Sequence, residues 1–263
     1  MRVLSCTVSG DARHPAVLFL HGFMGSSEDW LDTIAALDER YHCLAADLPG
    51  HGASVGLPPE YYTIEGAARA LLDLLDEMNV DRPAVVGYSM GGRLSLYLAL
   101  RHPERCARLF LESASPGIDD VAERQARCEA DEERARRLES GDFGTFLGDW
   151  YRQPLFASLS RRERLVQKVI EARSQNDPGE LARSLRGMGA GSQPSLWEEL
   201  AGLRIPTLTV AGGLDEKFVG FSRLMAGASP NVRDAVVSGA GHNVSAEVPG
   251  AYLALLECFL GTP

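Results

Sequence analysis

The sequence predicts an α/β protein with a mostly parallel sheet, helices on both faces and an inserted helical segment. Three observations lead to this fold class. The chain has 263 residues, the size of one large domain. Hydrophobic residues make up 45% of it and charged residues 24%, as in ordinary folded proteins rather than fibrous or disordered ones. Short apolar runs alternate with helical patterns, which is typical of parallel strands joined by helical crossovers.

Seven short apolar runs predict the strands, at residues 2–8, 16–20, 42–46, 83–86, 109–112, 207–211 and 233–237. Helical periodicity lies between or after them, at residues 28–37, 64–78, 90–101, 218–226 and 251–260. Because helical patterns separate most of the neighbouring strands, we expect those strands to run parallel to one another.

The pattern changes in the middle of the chain. Between residues 118 and 203 no strand pattern occurs, and the segment is divided into several helices by Gly141, Pro154, Pro178 and Pro194. We therefore predict an α/β core made of residues 1–117 and 204–263, and a helical lid, or cap, made of residues 118–203.

Charge and cysteine content exclude several kinds of partner. The net charge is −10 and the pI about 5.1, so neither nucleic acid nor an anionic membrane surface is expected to bind the chain. The five cysteines are scattered, and the longest early apolar run, residues 16–20, is too short for a signal peptide or membrane span. We predict a cytoplasmic protein without membrane insertion, metal or cofactor, and leave open whether it is a monomer or a small homo-oligomer.

The most informative motif is the G-x-S-x-G segment Gly87-Tyr88-Ser89-Met90-Gly91, which lies between a predicted strand and a predicted helix. A serine in such a sharp turn is held in a strained backbone conformation, and the flanking glycines prevent collisions across the turn. Its hydroxyl then faces a cleft beside the N–H groups of a helix N-terminus. Ser89 is therefore predicted to be catalytic.

A serine hydroxyl needs a base and an orienting acid, because it is unreactive at its own pKa. After Ser89 the chain contains only His102 and His242. His102 ends the helix that Ser89 begins, about 20 Å away at roughly 1.5 Å per residue, so His242 is the predicted base. The acid is expected after the preceding strand, where Asp215 is the candidate and Glu216 its competitor. The chain order Ser, Asp, His is that of the α/β-hydrolase fold.

An early glycine turn predicts the remaining part of the site. The segment His21-Gly22-Phe23-Met24-Gly25 follows the strand at residues 16–20, where this fold places a second backbone donor for a developing oxyanion. We predict that the N–H groups of Phe23 and Met90 form an oxyanion hole. His21 is expected to stabilise the turn and not to act as a base.

The sequence around these motifs resembles one family within the fold. The resemblance rests on residues 21–30, 87–93, 144–158, 171–176 and 241–243. Its most discriminating parts are Gly92-Arg93, the segment from Asp149 to Pro154, and the segment from Arg173 to Asn176. Together they resemble 2-succinyl-6-hydroxy-2,4-cyclohexadiene-1-carboxylate synthase of menaquinone biosynthesis, over nearly the whole chain.

The resemblance implies a lyase that eliminates pyruvate from 2-succinyl-5-enolpyruvyl-6-hydroxy-3-cyclohexene-1-carboxylate, with the triad serine as the base that abstracts a ring proton. This small substrate is a tricarboxylate, and arginine side chains suit carboxylates because they offer paired donors. The substrate-binding residues that the resemblance implies are Arg93, Arg127, Arg173, Tyr88 and Trp150. Arg124, three residues before Arg127, is the alternative in the lid.

Two other functions use the same motifs. A serine hydrolase, either an esterase or thioesterase or a carbon–carbon bond hydrolase, would need the same triad. A binding protein without catalysis is disfavoured because serine, acid, base and both oxyanion turns all occur. The orientation of Arg93, Arg127 and Arg173 is a direct test, since the argument for a tricarboxylate fails if they point away from Ser89.

Overall fold

The chain forms a seven-stranded, mostly parallel sheet in a computed structural model that describes residues 3–261. The strands are β1 (Cys6–Ser9), β2 (Ala16–Leu20), β3 (His42–Ala46), β4 (Ala84–Tyr88), β5 (Arg108–Glu112), β6 (Thr207–Gly212) and β7 (Val232–Val237). Their order is β1-β3-β2-β4-β5-β6-β7. Only β1, at one edge, pairs antiparallel, and the other described pairs are parallel. The predicted fold class is confirmed.

Helices cover both faces of this sheet and fill the segment between β5 and β6. The α-helices are α1 (Leu31–Leu37), α2 (Ile64–Glu77), α3 (Met90–Arg101), α4 (Val121–Ser140), α5 (Phe143–Tyr151), α6 (Ala157–Ser160), α7 (Glu163–Arg173), α8 (Pro178–Met188), α9 (Glu216–Ala228), α10 (Val244–Glu247) and α11 (Pro249–Gly261). Among the helices of residues 3–261, none combines the length and the apolar character needed to cross a bilayer.

Two predicted elements are corrected by the structure. The strand predicted at residues 2–8 begins only at Cys6, and its first residue lies outside the described part of the chain. Before β1, Leu4 is buried in the core, and the Ser5 N–H donates to Ser54 Oγ at 2.8 Å and not to a neighbouring strand. The helix predicted at residues 28–37 divides into a 3₁₀ turn, Ser27–Trp30, and α1. The other predicted strands and helices agree with the observed bounds to within two residues.

The core lies on both faces of the sheet, because successive strand residues point to opposite sides. In β2, Leu18 and Leu20 pack in the apolar cluster that contains α2 and α3, whereas Val17 and Phe19 pack with α1 and α11. Burying each such side chain contributes roughly 1.5–3 kcal/mol. The two layers hold the parallel strands rigidly, and the carboxyl ends of these strands meet at one edge of the sheet, where parallel sheets commonly carry their binding sites.

The segment between β5 and β6 forms the five helices α4 to α8. Three of them begin at aspartates whose side chains accept a backbone N–H two or three residues into the helix, as N-caps do: Asp120, Asp142 and Asp177. Gly141 ends α4 and Pro178 begins α8, as the sequence predicts. These helices share an apolar cluster with Met24, from the turn after β2. The division of the chain into a core and a lid stays a prediction.

Candidate active site

Ser89 lies at a sharp turn between β4 and α3. Its φ is 49° and its ψ −106°, a conformation that residues with side chains rarely adopt. The turn is tight because neighbouring backbone passes close to two glycines. A Cβ at Gly91 would lie 2.2 Å from the Leu20 carbonyl oxygen, and one at Gly87 would lie 2.6 Å from the Gly91 carbonyl oxygen. The N–H of Ser89 donates to the Glu112 carbonyl of β5 at 2.9 Å, which fixes the turn to the sheet.

The predicted base and acid form a hydrogen-bonded series with Ser89. His242 Nε2 lies 3.2 Å from Ser89 Oγ, and His242 Nδ1 lies 2.8 Å from Asp215 Oδ2. An aspartate at Nδ1 keeps the proton on that nitrogen, so Nε2 can accept the serine proton. Asp215 precedes α9 and is buried, whereas Glu216 is exposed, so the geometry selects Asp215. His102 lies just after the far end of α3.

Three aromatic rings surround the His242 side chain, which is 2% exposed. Their centres lie 5.6 Å from the imidazole for Tyr88, 5.8 Å for Phe156 and 4.6 Å for Phe218. Two of them, Phe156 and Phe218, are not predicted from the sequence. The sequence does hold a signal for Phe218, because it lies three residues after Asp215, to which its N–H donates at the start of α9. It holds no such signal for Phe156, which lies in the distant helical segment.

A buried carboxyl, Glu112, supports the loop that carries His242. Glu112 is the last residue of β5 and pairs in register with Tyr88 of β4. Its Oε1 accepts hydrogen bonds from Ser245 N at 2.9 Å and from Ser245 Oγ at 3.3 Å. Burial raises the pKa of Glu112 to about 8. Sequence reasoning overlooked it, although an acid that ends an otherwise apolar strand is a signal in itself.

A cavity of about 650 Å³ opens onto Ser89, a volume that suits a small molecule. Every predicted site residue lines it: Ser89, Asp215, His242, Phe23, Met90, Arg93, Arg127, Arg173, Tyr88 and Trp150. Arg124 does not line it, so the structure favours Arg127 as the arginine of α4. The cavity is shared by the core and the helical segment, and the rings of Trp150 and Phe23 meet across it at 5.3 Å.

The two turns of the predicted oxyanion hole are fixed to each other. The Gly91 N–H donates to the His21 carbonyl at 3.1 Å, which joins the start of α3 to the turn after β2. His21 Nε2 accepts the Leu48 N–H at 3.0 Å, and burial lowers the pKa of His21, so its ring is neutral. This arrangement agrees with the expected turn-stabilising role of His21. That Phe23 and Met90 bind an oxyanion stays a prediction.

Arg93 is buried in the cavity wall without a carboxylate as hydrogen-bond partner. Within residues 3–261 its hydrogen bonds go to two uncharged acceptors, the Gln193 side chain and the Met188 carbonyl. Burial, together with the nearby charge of Arg127, lowers the pKa of Arg93 to about 10. An anion in the cavity would therefore find a cation that the protein has not neutralised directly.

The other two predicted arginines are already paired with carboxylates. Arg127 Nε lies 2.9 Å and 2.8 Å from the two oxygens of Asp131. Arg173 donates from both terminal nitrogens to Asp29, at 2.5 Å and 2.8 Å, while its Nε is buried without a partner among the described residues. The fork of Arg173 is thus taken by the protein, which the sequence does not reveal.

Two further cations line the cavity that sequence reasoning overlooked, Arg134 and Lys217. Lysine is rare in this chain: Lys168 and Lys217 are the only two among 26 basic residues. The position of Lys217, two residues after Asp215, is a signal that could have identified it. No group of three or more His, Cys, Asp or Glu side chains among residues 3–261 is placed to hold a metal ion.

Comparisons with known proteins agree with the fold. The family model of the α/β hydrolase fold matches residues 15–249. A putative 2-succinyl-6-hydroxy-2,4-cyclohexadiene-1-carboxylate synthase of Bacillus subtilis is 34% identical over 93% of this chain and 90% of its own length. The synthase of that name from Enterobacter sp. is 34% identical over 97% of this chain and 95% of its own length.

Solved structures show the same likeness. MenH from S. aureus has a TM-score of 0.92 and 31% identity, and the match covers 99% of this chain and 98% of that one. An enol-lactonase from Burkholderia xenovorans LB400 has a TM-score of 0.85 at 22% identity, with 98% and 96% of the two chains covered. At that lower identity the likeness concerns the fold alone.

Proposed function

The chain belongs to the α/β-hydrolase fold family and, within it, to the 2-succinyl-6-hydroxy-2,4-cyclohexadiene-1-carboxylate synthases, and we propose that it eliminates pyruvate from 2-succinyl-5-enolpyruvyl-6-hydroxy-3-cyclohexene-1-carboxylate in menaquinone biosynthesis. One observation carries the proposal. The same cavity holds the hydrogen-bonded series of Ser89, His242 and Asp215 and a buried arginine, Arg93, whose own acceptors are uncharged.

In this proposal Ser89 is a base and not a nucleophile. His242 Nε2 takes the proton from Ser89 Oγ, and the alkoxide abstracts the ring proton next to the succinyl carbonyl. The electron pair moves onto that carbonyl oxygen, and the N–H groups of Phe23 and Met90 stabilise the charge. When the electrons return, a double bond forms between C2 and C3, the C3=C4 double bond shifts to C4=C5, and the bond between C5 and the enolpyruvyl oxygen breaks. The ring is then a 2,4-diene, and the enolate of pyruvate leaves and takes up on carbon the proton that His242 holds.

The arginines account for binding in this proposal. The three carboxylates of the substrate carry three negative charges, and a buried cation is destabilising until an anion joins it. Arg93 and Arg127 would take carboxylates through terminal nitrogens, whereas a carboxylate at Arg173 would share the guanidinium with Asp29. Tyr88 and Trp150 would pack against the ring.

Release of pyruvate by the purified protein tests the proposal directly. The enolpyruvyl substrate is supplied, and pyruvate is measured with lactate dehydrogenase and NADH. We expect turnover by the wild type and a fall in kcat on the order of 10³-fold or more for Ser89→Ala, because no other side chain can replace the Ser89 alkoxide as the base. The exposed Ser140, at the end of α4, provides the matched control Ser140→Ala, which should leave kcat unchanged.

Two outcomes would contradict the proposal. Rapid hydrolysis of p-nitrophenyl acetate without any pyruvate release would favour a serine hydrolase, which could use the same three residues. Full turnover by Ser89→Ala would remove the serine from the mechanism.

A further inference from the structure

A buried aspartate, Asp131, joins two arginines on the wall of the cavity. Its side chain is 4% exposed. Arg127 Nε donates to both of its oxygens, and Arg134 Nη1 donates to Oδ1 at 2.8 Å. Arg127 lies four residues before Asp131 on α4 and Arg134 three residues after it, so all three share one face of the helix. Both arginines line the cavity.

The end of α8 connects this group to Arg93. A Cβ at Gly189, the residue after α8, would lie 2.7 Å from Asp131 Oδ2, so only a glycine leaves room for this carboxylate. The carbonyl of the preceding residue, Met188, accepts a hydrogen bond from Arg93 Nη2 at 3.0 Å. Carbonyl groups at a helix C-terminus carry partial negative charge, which favours arginine there. Arg93, Arg127, Arg134 and Asp131 therefore meet around one backbone corner, and we refer to these four residues as the Asp131 cluster.

The Asp131 cluster carries a net charge of +2, because one aspartate faces three arginines. With residues 3–261, Arg127 forms hydrogen bonds only through Nε and Arg134 only through Nη1, although each guanidinium has five N–H donors. Their side chains are 37% and 30% exposed, so the remaining donors can reach a ligand in the cavity. A partly buried excess of positive charge is a site for anions.

Acidic residues at the start of α4 do not cancel this charge. Asp119, Asp120 and Glu123 also line the cavity. Glu123 lies four residues before Arg127 on α4, but among residues 3–261 Arg127 forms its ion pair with Asp131 and none with Glu123. Asp120 caps α4, and Asp119 accepts a hydrogen bond from Ser195. The acidic residues at the start of α4 therefore form no ion pair with the Asp131 cluster.

We propose that the Asp131 cluster binds two carboxylates of one ligand. In this proposal Arg134 is a ligand-binding residue, and Asp131 is a positioning residue that fixes the guanidinium groups of Arg127 and Arg134 in the wall. The guanidinium of Arg134 lies 5.9 Å from the centre of the Trp150 ring, which orients it in the wall. The identity of the ligand rests on the proposed function, whereas the anion site itself requires only a compact di- or tricarboxylate.

The first test removes the charge of Arg134. Arg134→Gln should raise the KM for the enolpyruvyl substrate about tenfold, the value of one charge-assisted hydrogen bond, and leave kcat within about twofold. The matched control is Arg136→Gln, two residues further along α4, where the side chain is 66% exposed and pairs with Glu132. An unchanged KM in Arg134→Gln, or an equal rise in Arg136→Gln, would overturn the role of Arg134.

The second test separates position from charge. Asp131→Asn raises the net charge of the cluster, so attraction by charge alone predicts tighter binding of propane-1,2,3-tricarboxylate, whereas loss of position predicts weaker binding. We expect the Kd from calorimetry to rise about tenfold, with the melting temperature of each variant confirming that it folds. An unchanged or lower Kd for folded Asp131→Asn would overturn its positioning role.

The tricarboxylate also separates this inference from the proposed function. If the wild type releases no pyruvate but binds the tricarboxylate, and Arg134→Gln weakens that binding, the lyase proposal fails and the anion site stands. If the wild type releases pyruvate while its binding of the tricarboxylate is undetectable or independent of Arg134, the lyase proposal stands and the Asp131 cluster is not the anion site.

Discussion

The sheet edge and the helical segment meet in one cavity, but they hold their side chains in different ways. At the sheet edge, Ser89, His242 and Asp215 already hydrogen bond to one another, and buried strands fix their backbones. In the helical segment, Arg127 and Arg173 are paired with carboxylates of the protein itself. The reacting groups are thus arranged in advance, whereas the binding groups hold protein partners that a ligand has to share or displace.

This difference leads to a division of kinetic effects. Groups that are held for the chemical step affect kcat, because their orientation is set before the substrate arrives. Groups that hold carboxylates in the ground state and transition state alike affect KM. A variant at the sheet edge that changes only KM would contradict this division, and so would an arginine variant that changes only kcat.

The largest effect is expected for Asp215→Asn. An amide at this position favours the wrong tautomer of His242, so kcat for pyruvate release should fall by about 10³–10⁴-fold with little change in KM. The exposed Asp234 of β7 supplies the control Asp234→Asn, which should behave as wild type. Activity within tenfold of wild type would assign the acid to another residue, and Glu216 would be tested next.

A substitution of Gly91 tests the sheet edge separately, because it disturbs the backbone of the turn there and not the helical segment. The added methyl group of Gly91→Ala would lie 2.2 Å from the Leu20 carbonyl oxygen, so the turn must shift. We expect the free energy of unfolding to fall by about 2–4 kcal/mol and kcat to fall with it.

Urea denaturation measures this loss of stability. Gly220 of α9 has open space around it, so Gly220→Ala should be neutral or stabilising by up to about 1 kcal/mol. Equal stability of the two variants would show that the turn is not constrained as described.

Arg93→Lys examines the contact between the two regions, because Arg93 of α3 donates to two acceptors in the helical segment. Lysine cannot reach both the Gln193 side chain and the Met188 carbonyl in the geometry of a planar fork. We expect KM to rise about 10–100-fold while kcat changes less than tenfold, in steady-state assays of pyruvate release. Arg101→Lys, at the exposed end of the same helix, should leave both constants unchanged. A loss confined to kcat would place Arg93 among the reacting groups.

For a change of one pH unit, the smallest effect is the pH dependence that Glu112 gives to the sheet edge. Burial raises the pKa of Glu112 from its ordinary 4.5 to about 8, so between these values the folded protein holds a proton that the unfolded chain has lost. The contribution of Glu112 to the free energy of unfolding should therefore fall as the pH rises from about 5 to about 8, by at most roughly 1.4 kcal/mol per pH unit.

Urea titrations at several pH values measure this slope. Glu112→Gln should flatten it, whereas the exposed Glu104→Gln should not. An unchanged slope in Glu112→Gln would mean that the carboxyl is ionised in the folded protein.

The sheet edge could be predicted from the sequence because its constraints are local. A serine between two glycines after an apolar run specifies the turn, and the chain order of strands places Asp215 and His242 at the same edge. Pairs between distant parts of the chain could not be predicted in this way, unlike the local pair of Arg127 and Asp131 on α4. Asp29 and Arg173 are 144 residues apart, and Glu112 and Ser245 are 133 apart. No local period encodes such pairs, since they depend on how separate helices and strands are placed.

The pairing of Arg173 with Asp29 ties the last turn of α7 to the 3₁₀ turn after β2. A carboxylate that draws this guanidinium away from Asp29 also breaks this connection between α7 and the core. Ligand occupancy and the attachment of α7 to the core are then thermodynamically linked, and the strength of one sets the freedom of the other. The ion pair of Arg173 and Asp29 thereby couples ligand binding in the cavity to the stability with which α7 is attached to the core.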